Sequence, residues 1–118
     1  MINLERSKSR LESIKSELER FNLKFERVPA VDGNSLDESN LSEFYNNSLN
    51  KRVYRRPLSR GEIGCYMSHI KCWQKIATEN LSSALILEDD ASLSDFVVDV
   101  LDQITNMEEK WDVIKLCV

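Results

Sequence analysis

Three consecutive carboxylates, Glu88-Asp89-Asp90, have the clearest capacity for chemistry in this chain. They directly follow the apolar run 84–87, whose length and composition predict a strand buried on both faces. In open α/β sheets, ligands bind at the carboxyl ends of the strands. Adjacent carboxylates repel one another unless a cation lies among them, and Mg²⁺ or Mn²⁺ prefers oxygen ligands. We therefore predict a divalent-cation site here. The alternative is an acidic surface turn that caps a helix near Ser94.

A second candidate is the sequence Val31-Asp32-Gly33, at the end of another predicted strand. In nucleotide-binding folds, an acid at this position accepts hydrogen bonds from ribose hydroxyls. Gly33 permits both a positive φ and a close approach of the backbone. Because Asp-Gly is also a common turn pair, an ordinary turn stays open as the alternative.

A third candidate is a group of five basic side chains that precedes a predicted helix. Cations near a helix N-terminus attract phosphate, and they also suit an anionic acceptor or lipid headgroups. The carboxylate of Glu62 occupies the same helix end, which favours a solvated loop instead. The five residues are Lys51, Arg52, Arg55, Arg56 and Arg60.

The single histidine, His69, lies between two cysteines, Cys65 and Cys72. On a helix these three positions share a face. Three ligands at this spacing match no closed zinc pattern. The sequence therefore favours a packed or hydrogen-bonded histidine and two unreactive thiols. Tyr66 and Trp73 are expected in the core rather than as a sugar-binding platform.

The periodicity of apolar residues predicts alternating strands and helices. Ser59 and Glu62 form a capping box at the start of the clearest helix. The alternation predicts a single α/β domain with an open, mostly parallel sheet flanked by helices. The predicted elements are strand 2–4, helix 6–21, strand 25–31, short helix and loop 34–58, helix 59–79, strand 84–87, helix 96–104 and strand 111–118.

Charge and composition narrow the class of protein. The formal net charge of −4 argues against a general nucleic-acid binder. Residues 1–60 carry a net charge of +3 and residues 61–118 a net charge of −7, which suggests that one half supplies cations and the other carboxylates to a shared site. Three cysteines and the lack of a signal-like N-terminus predict a cytoplasmic protein. Peripheral contact with a membrane stays open.

Four ordered blocks of the chain resemble glycosyltransferase family 25, the family of bacterial lipooligosaccharide galactosyltransferases and related collagen galactosyltransferases. Any one block is weak, but their joint order and spacing are specific. The blocks are 2–7 (INLERS) with Arg10, 27–33 (RVPAVDG), 58–70 (LSRGEIGCYMSHI) with Trp73, and 84–90 (ALILEDD).

The resemblance implies a GT-A-like domain that transfers galactose from UDP-galactose, with inversion, to a sugar hydroxyl of a lipooligosaccharide core. It implies Mn²⁺ or Mg²⁺ as cofactor, held by Glu88, Asp89 and Asp90 as the family's DxD-like motif. No residue is assigned as the catalytic base. By the same resemblance, the donor site includes Asn3, Leu4, Arg10, Val31, Asp32, Gly33 and His69.

The chain stops within the apolar pattern 111–118, where a buried carboxylate at a strand end would be unfavourable. We therefore expect residues 1–118 to be the N-terminal, nucleotide-sugar-binding part of a longer enzyme, or else a truncated gene product. The competing hypothesis is a non-catalytic remnant or interaction domain that keeps the scaffold.

Overall fold

A computed structural model describes residues 1–54 and 56–116 of the chain. These residues form a mixed α/β structure with one short parallel sheet and several helices, which confirms the predicted class at that level. The elements, in chain order, are β1 (Ile2–Asn3), α1 (Lys8–Arg20), β2 (Val28–Pro29), a 3₁₀ helix (Gly33–Ser35), α2 (Glu38–Phe44), α3 (Asn47–Val53), α4 (Arg60–Thr78) and α5 (Val97–Thr105).

The short strand β1 lies at the centre of the sheet. On one side it pairs in parallel with β2, with Ile2 opposite Val28. On the other side Ile2 forms a parallel bridge with Glu88, and its N–H donates to the carbonyl of Leu87 at 2.7 Å. Because the three segments run in the same direction, their carboxyl ends meet at one edge. This edge carries the side chain of Asn3 and the acidic residues that follow the third segment.

Three predicted strands are shorter than expected or absent. The segment 84–87 leads into a single bridge and is only partly buried, because β1 offers two residues for pairing. The strand predicted at 25–31 pairs only at Val28–Pro29, where the Val28 and Ala30 N–H groups donate to the carbonyls of Met1 and Asn3 at 2.8 and 3.0 Å. Residues 111–116 form no strand, since no described segment pairs with them, and Val113 is 78% exposed. The end of that predicted strand, Cys117-Val118, lies outside the described residues.

The apolar face predicted for the first helix is confirmed. Ile14 and Leu18 of α1 are nearly inaccessible, at 1% and 2% exposure. They pack with Met1 and with two residues from the C-terminal half, Leu93 and Val97. Burial of side chains of this size contributes about 1.5–3 kcal/mol each. This core joins α1 to the start of α5.

The predicted capping box at the start of α4 is also confirmed. The hydroxyl of Ser59 accepts from the Glu62 N–H, and the Glu62 carboxylate accepts from the Ser59 N–H at 2.8 Å. The expectation that Tyr66 and Trp73 lie in the core is wrong, because they are 48% and 46% exposed. The helix instead buries a face that includes small residues, among them Ser68.

Those small residues let α4 approach the backbone of residues 31–33. A Cβ added to Gly64 would lie 2.6 Å from the carbonyl oxygen of Val31. One added to Gly33 would lie 1.7 Å from the carbonyl oxygen of Arg60. The Ser68 hydroxyl accepts from the Val31 N–H at 2.8 Å and donates to the Gly64 carbonyl at 2.7 Å. Both glycines are therefore needed for close packing.

We expect Gly64→Ala to lower the free energy of unfolding by about 1–3 kcal/mol, because the new methyl group would overlap rigid backbone. Gly61→Ala is the matched control on the same helix, since its nearest atom would be the Ser59 Oγ at 3.9 Å. The control should leave stability unchanged or raise it by up to about 1 kcal/mol. Denaturant unfolding measures both variants, and equal effects would contradict this packing.

Candidate functional site

A cleft of about 220 Å³ lies at the carboxyl ends of β1 and β2. It gathers residues from both halves of the sequence, as the charge distribution suggested. All but one of the predicted site residues line it; the exception, His69, contacts the cleft residue Glu88 instead. The predicted residues in the cleft are Asn3, Leu4, Arg10, Val31, Asp32, Gly33, Glu88, Asp89 and Asp90.

The side chain of Asn3 holds the acidic segment in place. It is only 1% exposed, and its amide donates to the carboxylate of Asp89 at 2.7 Å and to the carbonyl of Ser7 at 3.1 Å. Its oxygen accepts from Arg27 at 3.0 Å. Both amide hydrogens are thus used within the protein. Asn3 positions Asp89, and its predicted contact with a donor nucleotide stays a prediction.

The three acidic residues lie on a turn. On an extended chain, Glu88 and Asp90 would point one way and Asp89 the other. The chain is not extended here, because it turns and the Ala91 N–H donates to the Glu88 carbonyl at 3.1 Å. Asp89 and Asp90 share the guanidinium of Arg10, at 3.3 and 3.6 Å. Glu88 instead faces α4.

This turn separates Glu88 from the other two carboxylates. Among the described residues, the only trio of potential ligands whose atoms converge within 4.8 Å includes Glu88 but neither Asp89 nor Asp90. The aspartate pair still suits a hard cation, since Mg²⁺ commonly uses one or two carboxylates together with substrate phosphates. The Asp90 side chain is 64% exposed and therefore accessible. The donor set fits the predicted Mn²⁺ or Mg²⁺, whose presence stays a prediction.

Asp32 lies across the cleft from the acidic turn. Its carboxylate forms an ion pair with Arg6 and accepts from the Asn34 N–H at 3.1 Å. The carboxylate is 30% exposed, so a ligand hydroxyl can reach it. Gly33 does not use the positive φ that glycine permits, since no described glycine has one. The suggested close backbone approach at Gly33 is confirmed.

Two residues of the cleft with ionisable side chains, Arg6 and Cys65, were missed as site residues from the sequence. Arg6 lies four residues before Arg10, so a pair of cations just after β1 was the available signal. Cys65 lies on α4 with its sulfur 3.6 Å from the Glu88 carboxylate. Burial, and secondly the charge of Glu88, raises the pKa of the Cys65 thiol. A raised thiol pKa agrees with the expected low reactivity.

The basic group at residues 51–60 is used partly in ion pairs. Arg56 forms a two-point contact with Glu62, at 2.7 and 2.9 Å, and Arg60 pairs with Glu38. Arg55 lies outside the described residues. The hydrogen bonds from Arg56, followed by those from Ser59, lower the pKa of Glu62 to about 2. These contacts support the solvated-loop interpretation over a phosphate clamp.

The two larger clefts lie elsewhere. One, of about 360 Å³, is mainly apolar and lies near Leu18 and Cys72; the other, of about 300 Å³, lies beside Trp73. The first cleft includes Lys24 and the ion-paired side chains of Lys75, Glu26 and Glu79, but neither cleft contains any predicted site residue. We therefore keep the 220 Å³ cleft as the candidate site. In the described part of the chain, no helix is both long and apolar enough to cross a bilayer.

The family model described as glycosyltransferase family 25 (LPS biosynthesis protein) matches residues 1–117. This chain belongs to glycosyltransferase family 25. The match covers all four blocks on which the resemblance was based, and it includes every residue of the cleft. In this chain, Asn3, Asp32 and the acidic turn line the cleft at the strand ends.

Family-25 relatives of this chain include animal enzymes. Procollagen galactosyltransferase 1-B of Xenopus laevis is 33% identical over 123 residues, which covers 98% of this chain and 20% of the relative. Procollagen galactosyltransferase 2 of Homo sapiens is 32% identical, covering 97% of this chain and 19% of the relative. The corresponding Mus musculus protein is 38% identical over 95 residues. The chain thus spans about a fifth of the first two relatives.

We expect Asn3→Ala to lower the free energy of unfolding by about 1–3 kcal/mol, because Asp89 and Arg27 would each lose a partly buried hydrogen-bond partner. Asn40→Ala, at an exposed position of α2, is the control and should change stability by less than about 0.5 kcal/mol. Denaturant unfolding measures both. An Asn3 variant as stable as the control would disprove the positioning role.

The low pKa of Glu62 predicts a pH dependence of stability. The folded-state value, about 2, lies below the ordinary value of 4.5, so this group stabilises the fold above about pH 4.5. That contribution is lost as the pH falls towards 2. The wild type should therefore lose more unfolding free energy over this range than Glu62→Gln does. If the unfolding free energies of the two proteins fall equally over this pH range, the low folded-state pKa of Glu62 is refuted.

Proposed function

We propose that this chain forms the donor-binding part of a galactosyltransferase that uses UDP-galactose with Mn²⁺ or Mg²⁺. The observation that carries the proposal is the cleft, where Asp32 and the Asp89/Asp90 pair face a common space at the strand ends. Family membership and the names of the relatives support galactosyl transfer. A volume of about 220 Å³ suits part of a nucleotide sugar, since sites for whole ligands of that size are larger.

Each side of the cleft has a separate task in this proposal. Asp32 accepts hydrogen bonds from the ribose, and Arg6 and Arg10 offer positive charge to the diphosphate. Asp89 and Asp90 hold the cation, and Asn3 keeps Asp89 at the strand end. A bound divalent cation would neutralise charge on the departing nucleotide. His69, which reaches the cleft through Glu88, is included in the donor site on the resemblance alone.

The reaction proposed for the whole enzyme is an inverting transfer. A sugar hydroxyl of the acceptor attacks the anomeric carbon from the side opposite UDP, and a general base takes the hydroxyl proton. No described residue is assigned as that base. The proposed acceptor is a lipooligosaccharide core at the cytoplasmic face of a membrane, in line with the description of the family model.

A protein acceptor is the second candidate, because the curated relatives are named procollagen galactosyltransferases. A donor and acceptor screen separates the two. Release of UDP from UDP-galactose should rise with lipooligosaccharide in the first case and with a collagen peptide in the second. The longest protein available from the gene is the suitable sample, since this chain spans 20% of its relative.

Donor binding can be tested on the 118-residue chain itself. UDP together with Mn²⁺ should raise the melting temperature more than either alone, with a stabilisation of about 2.7 kcal/mol at one hundred times the dissociation constant. Asp90→Asn should remove this synergy, because it takes one carboxylate from the cation site. Glu109→Gln, a change of the same charge outside the cleft, should preserve it.

Three outcomes of this melting experiment are distinct. Loss of synergy in Asp90→Asn alone supports the proposed site. Synergy that survives in Asp90→Asn places the cation elsewhere. If UDP has no effect with or without Mn²⁺, the chain does not bind the donor, and the alternative of a non-catalytic remnant or interaction domain takes its place.

A further inference from the structure

A second group of potential ligands lies on the α4 side of the acidic turn. Cys65 and His69 are four residues apart on this helix, so their side chains emerge on the same face. The Glu88 carboxylate points towards both of them. One oxygen, Oε1, lies 3.6 Å from the Cys65 Sγ and 3.3 Å from the His69 Nε2. The three ligand atoms all lie within 4.8 Å of one another.

The two separations from the Glu88 oxygen match edges of a small tetrahedron. Zn²⁺ binds nitrogen and oxygen at about 2.0–2.1 Å and sulfur at about 2.3 Å. Tetrahedral angles then place the nitrogen about 3.3 Å, and the sulfur about 3.6 Å, from the oxygen ligand. Octahedral Mg²⁺, with bonds of about 2.1 Å, would bring neighbouring ligands to about 3.0 Å. The two oxygen-centred distances therefore fit a tetrahedral ion better than an octahedral one, and the sulfur and nitrogen lie within 4.8 Å of each other.

The chemistry of the ligands leads to the same class of ion. A thiolate and an imidazole suit Zn²⁺ and its spectroscopic substitute Co²⁺, whereas Mg²⁺ and Mn²⁺ prefer carboxylates and water. Three protein ligands leave the fourth position to water, as in open zinc sites. The group is also accessible, because Cys65 and Glu88 are exposed and His69 is partly buried.

We propose that Cys65, His69 and Glu88 form an open tetrahedral site for Zn²⁺, separate from the Asp89/Asp90 pair. Zn²⁺ binding would form one bond to each side chain, and the Cys65 thiol would release its proton to solvent. From the sequence, Cys72 was considered as the third ligand beside Cys65 and His69. In the structure the Glu88 carboxylate lies in that place instead. This site does not depend on the proposed function.

Cys72 provides a matched control on the same helix. It is only 6% exposed and lines the large apolar cleft rather than the site cleft. Glu109→Gln is a second control, because it removes an acid outside the cleft that neither proposed cation site uses. His69 needs a substitution that keeps its size and polarity, for which His69→Gln is suitable.

The first test is a titration of the reduced 118-residue chain with Co²⁺ alone. We expect one equivalent to bind, with tetrahedral cobalt absorption and a thiolate charge-transfer band in the near ultraviolet. Zn²⁺ should displace Co²⁺ and remove both signals. Since this test uses the wild type, it does not depend on whether a variant folds. Absence of the thiolate band would overturn the proposal.

The second test compares Zn²⁺ affinity among variants by calorimetry, with circular dichroism to check folding. Cys65→Ala and His69→Gln should each weaken binding by at least about tenfold. Cys72→Ala and Glu109→Gln should bind within about twofold of the wild type. Equal weakening in Cys72→Ala, or unchanged affinity in Cys65→Ala, would show that these side chains form only a hydrogen-bonded cluster.

Discussion

The side-chain amide of Asn3 is the interaction on which the rest of the candidate site depends. It is almost fully buried, so each of its polar atoms needs a partner within the protein. Those partners are Ser7 at the start of α1, Arg27 just before β2, and Asp89 on the acidic turn. One amide thus fixes three segments that are far apart in the sequence, and it keeps a carboxylate at the end of the central strand.

A second constraint acts on the opposite wall of the cleft. Helix α4 approaches the backbone of residues 31–33 so closely that neither Gly33 nor Gly64 has room for a Cβ. The Ser68 hydroxyl ties the helix to the Val31 N–H. The close packing therefore holds the backbone that carries Asp32 in place. The cleft lies between this wall and the turn that Asn3 holds.

The uneven distribution of charge along the sequence reflects this arrangement. Arg10 of the basic N-terminal half pairs with Asp89 and Asp90 of the acidic C-terminal half, whereas Arg6 pairs with Asp32 of its own half. Asp89 and Asp90 carry two negative charges against the single positive charge of Arg10, so a net negative charge is left at the strand ends. On the side facing α4, Glu88 has a different environment, with a thiol and an imidazole. The acidic triplet thus serves two neighbouring sites of different chemistry in our account.

The sequence predicted those features that depend on local patterns. The capping box at Ser59, the buried face of α1 and the convergence of Asp32 with the acidic residues follow from periodicity and from the rule for strand ends. The strands at 84–87 and, within the described residues, at 111–116 were overpredicted, because an apolar run shows β propensity but not the presence of a pairing partner. The role of Asn3 and the split of Glu88 from Asp89 depend on long-range contacts, which no local pattern contains.

The central claim is that a nucleotide diphosphate and a divalent cation bind where Asp32 faces the Asp89/Asp90 pair. A crystal structure of the chain with UDP and Mn²⁺ tests it most directly. Our account predicts an anomalous manganese peak beside Asp89 and Asp90, with the ribose against Asp32. Nucleotide density in either of the larger clefts, or manganese bound away from this aspartate pair, would contradict it.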